Sequence, residues 1–439
     1  MTHYETVQKD HKPLLLKAPR QSWCTSTRSR CRSGGLGFGI AFIAFICSVP
    51  ALAEINLMPY VSGRTLYDSN VFALSSGDQA VLQNGDPSRS DTVFRYAAGA
   101  DASFLWNRQE VYGFAEGRRF NYLHFDQLDH DEYTLSGGSN WVVNDAFGGS
   151  VNYRQERRMA SFADRTTTQL EMETERTLLA RLDVKASDEW RLDGGFKLHG
   201  LDSPLPGFPL FALGEHSGNM QIQYVGRGKL GVGLYTEYLE GDYRGVPDEG
   251  RFRQVTAELT STYAISGLSD FDAKVGYSQR KSQIEQGGDV SGLAGTLAYK
   301  RSFTGKTSGD IQIFRRINSY VAGATSVVET GATIALRWQP SSTISVSPDY
   351  SWIETGYRGT SAPGSSFPSR RDHYQTAGIT INYDARPWLS IRAFGQAQDR
   401  NSNIVLDSFN ESQVGIEFVL RRSRDPSSVL HGDTLTSSH

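Results

Sequence analysis

Apolar and polar positions alternate along most of this chain, from Ile55 to Arg422. After position 90, aromatic and small apolar residues occupy every second position from Phe94 to Trp106, and Arg95, Gly99, Asp101 and Ser103 share the other face. Successive side chains of a β-strand point to opposite faces, so this alternation predicts strands with one apolar face. About eighteen such segments, of roughly ten residues each, follow one another along the chain.

The connections between these segments alternate between short and long. Two-residue turns such as Asn107-Arg108 and Asn144-Asp145 are followed by longer connections such as 75–90 and 202–211. Short periplasmic turns and long outer loops are typical of outer-membrane barrels. A soluble propeller or a stack of sandwiches would also space its strands evenly, but it would not explain this alternation. Several tryptophans stand beside the short turns, which predicts an interfacial belt there: Trp106, Trp141, Trp190, Trp338 and Trp388.

We therefore predict an all-β fold, a transmembrane antiparallel up-and-down β-barrel of about 18 strands in the bacterial outer membrane. Every backbone polar group inside a bilayer needs an internal partner, so a sheet can span it only when closed. An even strand number places both termini in the periplasm, and outer-membrane lipid surrounds the predicted barrel.

The first 53 residues have the features of an N-terminal signal peptide. The apolar segment Leu36–Val49 follows an arginine-rich stretch and precedes the small-x-small triplet Ala51-Leu52-Ala53, the order found in secretory signals. We predict cleavage after Ala53 and, because the basic region is long, a translation start downstream of Met1. The predicted regions are a signal peptide at 1–53, the barrel at 54–422 and a polar C-terminal tail at 423–439.

Cysteine usage and charge exclude several classes of function. Cys24, Cys31 and Cys47 all lie within the predicted signal peptide, so the mature chain has no disulfide, Cys-zinc site or thiol nucleophile. The chain holds 45 Lys/Arg and 48 Asp/Glu, of which the first 53 residues hold seven and two, which leaves a mature net charge of −8. Nucleic-acid binding has no support in this charge. We predict no cofactor, no metal site and no catalytic constellation.

The first predicted strand ends in the element Tyr67-Asp68-Ser69-Asn70-Val71, within Pro59–Phe72. This element, followed by repeated glycine- and tyrosine-containing strands, resembles the exosortase-associated exopolysaccharide-biosynthesis family of outer-membrane barrels, of the EpsL type and related to the β-barrel-porin-2 group. Tyr67, Asp68 and Asn70 are the matching positions. The resemblance implies export of an extracellular polysaccharide as cargo, with a periplasmic polysaccharide-export protein as partner, and it supplies no catalytic residue.

Strand parity also predicts which charged residues face the lumen. These groups have two interpretations: they attract an acidic polymer through their field, or they pair with opposite charges on neighbouring strands and make the wall rigid. The candidate lumen-facing residues are Arg95, Asp101, Arg154, Arg181, Lys185, Glu258, Lys274, Arg337 and Arg392.

One long connection differs from the others in composition. Residues 202–211 carry Pro204, Pro206, Phe208 and Pro209, where outer loops are usually polar, and they are a possible constriction loop folded into the pore or an apolar rim. The sequence therefore favours a hydrated conduit for exopolysaccharide. A general or substrate-specific porin for small solutes is one alternative, and a barrel enzyme or a non-conducting assembly scaffold is the other.

Overall fold

The structure, a computed structural model, describes residues 54–164, 168–203, 212–226, 229–245, 250–283, 289–319, 326–358 and 370–422. Within these residues the chain forms eighteen β-strands and one α-helix, α1 (Gly77–Asn84). The strands are β1 (Glu54–Asp68), β2 (Asp91–Trp106), β3 (Gln109–Tyr122), β4 (His130–Asn144), β5 (Phe147–Met159), β6 (Met172–Lys185), β7 (Trp190–Asp202), β8 (Ala212–Val225), β9 (Leu230–Arg244), β10 (Gly250–Ser266), β11 (Ser269–Ser282), β12 (Val290–Thr304), β13 (Thr307–Ser319), β14 (Ser326–Trp338), β15 (Ile344–Arg358), β16 (Arg371–Arg386), β17 (Leu389–Ser402) and β18 (Phe409–Arg421).

Each strand pairs with the next one in the chain, and the last strand pairs with the first. The junction between β1 and β18, called the seam below, is antiparallel and runs from Tyr60 opposite Arg421 to Asp68 opposite Gln413. The sheet is therefore a closed antiparallel barrel without edges, which satisfies the backbone hydrogen bonds of every strand internally. The sequence prediction of an eighteen-stranded up-and-down barrel is confirmed.

The outer face of the barrel is apolar and carries an aromatic belt. Tyr96, Leu259 and Ile381 illustrate this face, since they are 58%, 67% and 41% exposed and each follows an inward polar residue. Trp106, Trp190, Trp338 and Trp388 are all about half exposed at the end with the short turns. A closed barrel with an apolar outside and an aromatic girdle is the architecture that spans the bacterial outer membrane.

The opposite end of the barrel carries the long connections and three single-turn 3-10 helices. Helix α1 lies in the connection between β1 and β2; the Oγ of Ser76 accepts a hydrogen bond from the Gln79 amide at its start, and Gly85 ends it with a left-handed φ of 74°. Among the described residues, no helix has the length and hydrophobicity of a membrane span. The predicted signal peptide and polar tail lie outside the described residues.

Candidate functional site

The predicted lumen residues occupy strand positions that alternate with the exposed apolar face. The structure brings some of them into contact with partners on the same strand or on other strands. Arg95 and Arg392 both bind Glu417, the Arg154 guanidinium lies 2.8 Å from Glu156, and Lys274 Nζ lies 4.9 Å from the centre of the Tyr235 ring, on a neighbouring part of the wall.

Other predicted lumen residues lie apart from these contacts. Lys185 is near the short-turn end, where its Nζ lies 2.6 Å from Asp188, and the resulting hydrogen bond lowers the pKa of that exposed carboxyl. Asp101 is buried, at 3% exposure. Arg181, Glu258 and Arg337 lie on β6, β10 and β14, so no single cluster contains all the predicted residues.

A network of ion pairs begins on β3, at Arg118. Its guanidinium lies between three carboxylates on three strands, 3.5 Å from Glu116, 3.2 Å from Glu132 and 3.0 Å from Glu156. Tyr60 on β1 donates a hydrogen bond to Glu116. It reaches over β2 at Gly99, where a Cβ atom would lie 2.8 Å from the Tyr60 hydroxyl. The missing side chain therefore permits this contact.

The same network continues around the wall through β5, β6, β7 and β8. Arg158 lies 2.8 Å from Glu173 and 3.1 Å from Glu175. His199 then connects two carboxylates, with its Nε2 3.2 Å from Glu175 and its Nδ1 2.9 Å from Glu215. Ionic side chains thus link six consecutive strands, β3 to β8, a third of the wall.

At Glu215 the network crosses to strands that are distant along the wall. Ser319, at the end of β13, donates a hydrogen bond to Glu215 on β8. Arg280 on β11 donates to Ser319 at 2.8 Å, and its guanidinium lies 4.2 Å above the Phe252 ring. Side chains therefore meet across the interior between β8 and β13, and the Arg280 side chain is only 2% exposed.

Ser319, Glu215 and His199 are the residue types of a hydrolytic triad, but their geometry differs from one. In a triad the serine hydroxyl bonds to the histidine, which acts as its base. Here Ser319 bonds to the carboxylate, and both ring nitrogens of His199 face carboxylates. This arrangement gives no activated nucleophile. Among the described residues, no group of acidic, histidine or cysteine side chains is arranged to hold a metal ion.

An apolar cluster, called the cap below, lies at the end with the long connections. Phe72 from the β1–β2 connection packs edge-on against Phe125 and Phe162, with ring centres 4.8 and 5.0 Å apart. These phenylalanines belong to three different connections, and Leu128 is fully buried with them. The cap shows that loops from one side of the barrel pack together by burying apolar surface.

Arg400 connects the cap to the far wall. This β17 residue donates hydrogen bonds to the carbonyl of Ala163, in the β5–β6 connection, and to the Tyr374 hydroxyl at 3.0 Å. Arg400 is 3% exposed, so a buried cation holds a connection that begins several strands away. The predicted constriction loop, with Pro204, Pro206, Phe208 and Pro209, lies outside the described residues. No pattern in the sequence predicts this contact of the β5–β6 connection with β17.

The residues that carry the family resemblance lie at the seam. Asn70 is 1% exposed; its amide group accepts a hydrogen bond from the Leu74 N–H at 3.0 Å and donates to the Leu74 and Asn410 carbonyls, both at 2.9 Å. The Asp68 carboxylate accepts hydrogen bonds from the backbone N–H of Asn70 at 2.8 Å and from the side-chain amide of Gln413 at 2.9 Å. Because Asn410 and Gln413 belong to β18, this element joins the first strand to the last. Tyr67 points outward and is 46% exposed.

The chain was compared with protein families, with curated proteins and with solved structures. No protein-family model matches it, and no curated protein matches its sequence. Similar solved structures include OpdK of Pseudomonas aeruginosa with vanillate (8% identity, 84% of this chain, 99% of that chain, TM-score 0.46). The copper transporter OprC is similar at 7% identity, over 84% of this chain and 81% of that chain, with a TM-score of 0.46. OccK3 (OpdO) of Pseudomonas aeruginosa is similar at 12% identity, over 84% of this chain and 96% of that chain, with a TM-score of 0.44. These likenesses are too distant to carry an argument about function.

Proposed function

We propose that this barrel is a passive outer-membrane channel for small hydrophilic solutes, with a lumen narrowed by its own charged wall. The observation that carries the proposal is the low exposure of the inward ionic groups. The side chains of Arg118, Glu215 and Arg280 are 7%, 10% and 2% exposed. In a wide aqueous pore these ends would be hydrated, so their burial supports a narrow passage at this level.

Fixed charges in a narrow passage favour selection among small solutes. Water is largely excluded around Arg280 and Glu215, and the lower local dielectric strengthens the field of these charges. The hydrogen bonds of Ser319 and His199 hold the carboxylate of Glu215 in place. A solute that passes therefore meets ordered charges at fixed positions, which suits a selective porin for small molecules.

Exopolysaccharide export remains a prediction that rests on the family resemblance. Asp68 and Asn70, which carry that resemblance, bind strand β18 and support closure of the barrel. These contacts join the first strand to the last, and they do not bear on the cargo or on a periplasmic partner. Deletion of the gene tests this alternative: loss of extracellular polysaccharide, restored by the wild-type gene, would favour export.

Planar-bilayer recording of the purified protein tests the channel. We expect steady single-channel steps. Arg280→Ala should enlarge them because Arg280 fills the space between β8 and β13. Arg253→Ala is the matched control, since Arg253 belongs to β10 but lies on the exposed outer face. Absence of any conductance, or an equal response of the two variants, would contradict the proposal.

A further inference from the structure

Four inward positions form one row across the neighbouring strands β6 to β9. In register order they are Arg181, Gly195, Asn219 and Glu237. Met220, the residue after Asn219, is 48% exposed on the apolar outer face. The row therefore faces the lumen, because successive side chains of a strand point to opposite faces. Its three side chains, from Arg181, Asn219 and Glu237, are called the polar row below.

The Asn219 side chain folds over Gly195, toward the Arg181 end of the row. A Cβ atom at position 195 would lie 2.7 Å from both the Nδ2 and the Oδ1 of Asn219. The glycine therefore provides the space in which this amide lies. Within the described part of the chain, the Asn219 amide has no hydrogen-bond partner, so its donors and its acceptor are open to a solute.

Arg181 and Glu237 carry opposite charges at the two ends of the polar row. The Arg181 charge acts on the Tyr235 hydroxyl, and the Glu237 carboxylate lies beside the same hydroxyl, so both groups lie near one point of the lumen. Arg181 is exposed and Glu237 is half-buried. Among the residues that the structure describes, no opposite charge lies within ion-pair distance of either group.

Much of the ionic wall differs from the polar row in this respect. Arg118 lies between three carboxylates, and Arg158 binds two carboxylates on β6. Glu215 accepts a hydrogen bond from Ser319 and lies 2.9 Å from His199. Those groups are paired within the protein, as expected where charges make the wall rigid. The two ends of the polar row keep most of their hydrogen-bonding capacity for a ligand.

The spacing of the polar row suits a short ligand with two opposite charges. Neighbouring strands lie about 4.8 Å apart, so the backbones at Arg181 and Glu237 are about 14 Å apart. The two long side chains cover most of this distance, and the Asn219 amide stands between them. The remaining gap matches the few atoms that separate the carboxylate from the ammonium group of an α-amino acid.

We propose that Arg181, Asn219 and Glu237 form a binding site in the lumen for a zwitterionic amino acid. The Arg181 guanidinium donates paired, planar hydrogen bonds to the carboxylate of the ligand. The Glu237 carboxylate accepts hydrogen bonds from the ammonium group, and the Asn219 amide binds between them. The inference rests on the proposed channel function and names its substrate class.

Block of the channel current by L-alanine tests the site, with two analogues that each lack one charge. L-alaninamide lacks the carboxylate, and N-acetyl-L-alanine lacks the ammonium group. We expect L-alanine to block wild-type protein at a concentration about tenfold lower than either analogue, the gain expected from one further charge-assisted contact. No block by L-alanine, or equal block by all three solutes, would overturn the proposal.

Two variants assign each end of the ligand to its residue. Arg181→Gln should weaken block by L-alanine about tenfold and leave block by L-alaninamide no weaker, since that analogue has no carboxylate to lose. Glu237→Gln should weaken L-alanine as strongly and leave N-acetyl-L-alanine no weaker. Arg154→Gln, the matched control, removes a lumen arginine that lies 2.8 Å from Glu156, and it should change block by L-alanine less than about twofold. Equal weakening of all three solutes by Arg181→Gln, or an equal response to Arg154→Gln, would contradict the assignment.

The position of Asn219 is tested without a change of charge. Gly195→Ala places a methyl group where the Asn219 amide lies, and the barrel should stay folded because the end of this side chain can rotate away. We expect block by L-alanine to weaken several-fold, the loss of one hydrogen bond. Gly194→Ala is the matched control, since a Cβ atom there has nothing within 4 Å. Equal effects of the two substitutions would exclude Asn219 and overturn the site as proposed.

Calorimetric titration of the detergent-solubilised protein decides binding without conductance. L-alanine should bind wild-type protein and bind Arg181→Gln and Glu237→Gln about tenfold more weakly. Binding in this pattern without any conductance would refute the channel and leave the site standing, whereas steady conductance without binding of L-alanine would do the reverse. The urea midpoints of both variants should stay near that of wild type. Lowered midpoints with unchanged binding of L-alanine would assign these residues a structural role and overturn the proposal.

Discussion

Removal of the Asn70 side chain should weaken closure of the barrel at the seam. Asn70→Ala deletes three hydrogen bonds, to the Leu74 N–H, the Leu74 carbonyl and the Asn410 carbonyl. Arg89 also donates to the Leu74 carbonyl at 3.0 Å, so that group keeps a partner. The Leu74 N–H and the Asn410 carbonyl lose the partner that Asn70 provided.

The expected loss of stability follows from these two groups. Leaving the buried Leu74 N–H without its partner costs roughly 1–3 kcal/mol and losing the part-buried bond to Asn410 about 0.5–1.5 kcal/mol, so Asn70→Ala should cost about 1.5–4.5 kcal/mol of unfolding free energy. With a urea m-value of about 3 kcal/mol/M, the unfolding midpoint should fall by roughly 0.5–1.5 M. Asn70→Asp keeps the acceptor, loses both donated bonds and adds a charge near Asp68, so it should be at least as unstable.

Urea titration of detergent-solubilised protein, followed by tryptophan fluorescence, measures this loss. Asn152→Ala is the matched control because the Asn152 amide donates one bond of 3.2 Å to the Tyr112 hydroxyl, away from the seam. One such bond is worth about 0.5–1.5 kcal/mol, a midpoint shift below about 0.5 M. If Asn70→Ala unfolds at the wild-type midpoint, or both variants shift equally, the assigned role of the Asp68–Asn70 element is refuted.

Three further variants test the network, the close approach and the cap. Arg118→Met should cost about 3–5 kcal/mol because it removes the cation that lies between three carboxylates, of which Glu156 alone keeps a second arginine, Arg154. Urea midpoints at pH 8 and pH 5 should show partial recovery in acid, and equal losses at both pH values would contradict this. Gly99→Ala should lower the midpoint, since its Cβ would lie 2.7 Å from a backbone oxygen, whereas Gly63→Ala, with nothing within 4 Å, should not. Arg400→Ala should release the carbonyl of Ala163, and limited proteolysis should then cut the β5–β6 connection faster than in wild type; an unchanged rate would show that this contact does not hold the cap.

The barrel could be predicted because each strand repeats one simple constraint. Lipid accepts only apolar side chains, so the positions from Phe94 to Trp106 that face it are nearly all apolar and the intervening ones are free to be polar. The short turns and their tryptophans gave the direction of the strands in the same way, and Trp106 lies exposed at that end. These signals are local in the sequence, so they can be recognised without knowledge of the fold.

The contacts across the interior could not be predicted by the same route. Parity assigns Glu215 and Ser319 to positions on their strands but does not say that β8 and β13 meet, since these residues are 104 positions apart. Likewise, Arg400 contacts Ala163 across 237 positions. The cap offered only a weak signal in the sequence, the phenylalanines Phe72, Phe125 and Phe162 in three of the long connections.

The distribution of inward charge joins both interpretations that the sequence left open. Where Arg118 and Arg158 lie, neighbouring strands supply carboxylates, and pairing makes the wall rigid. At the seam, one carboxylate, Glu417, is shared by Arg95 and Arg392. A net charge or a count of residues averages over these two regions and conceals the difference. Because a fully paired charge attracts a solute weakly, the paired charges from β3 to β8 should contribute rigidity, and attraction of solutes should depend on the other inward charges of the lumen.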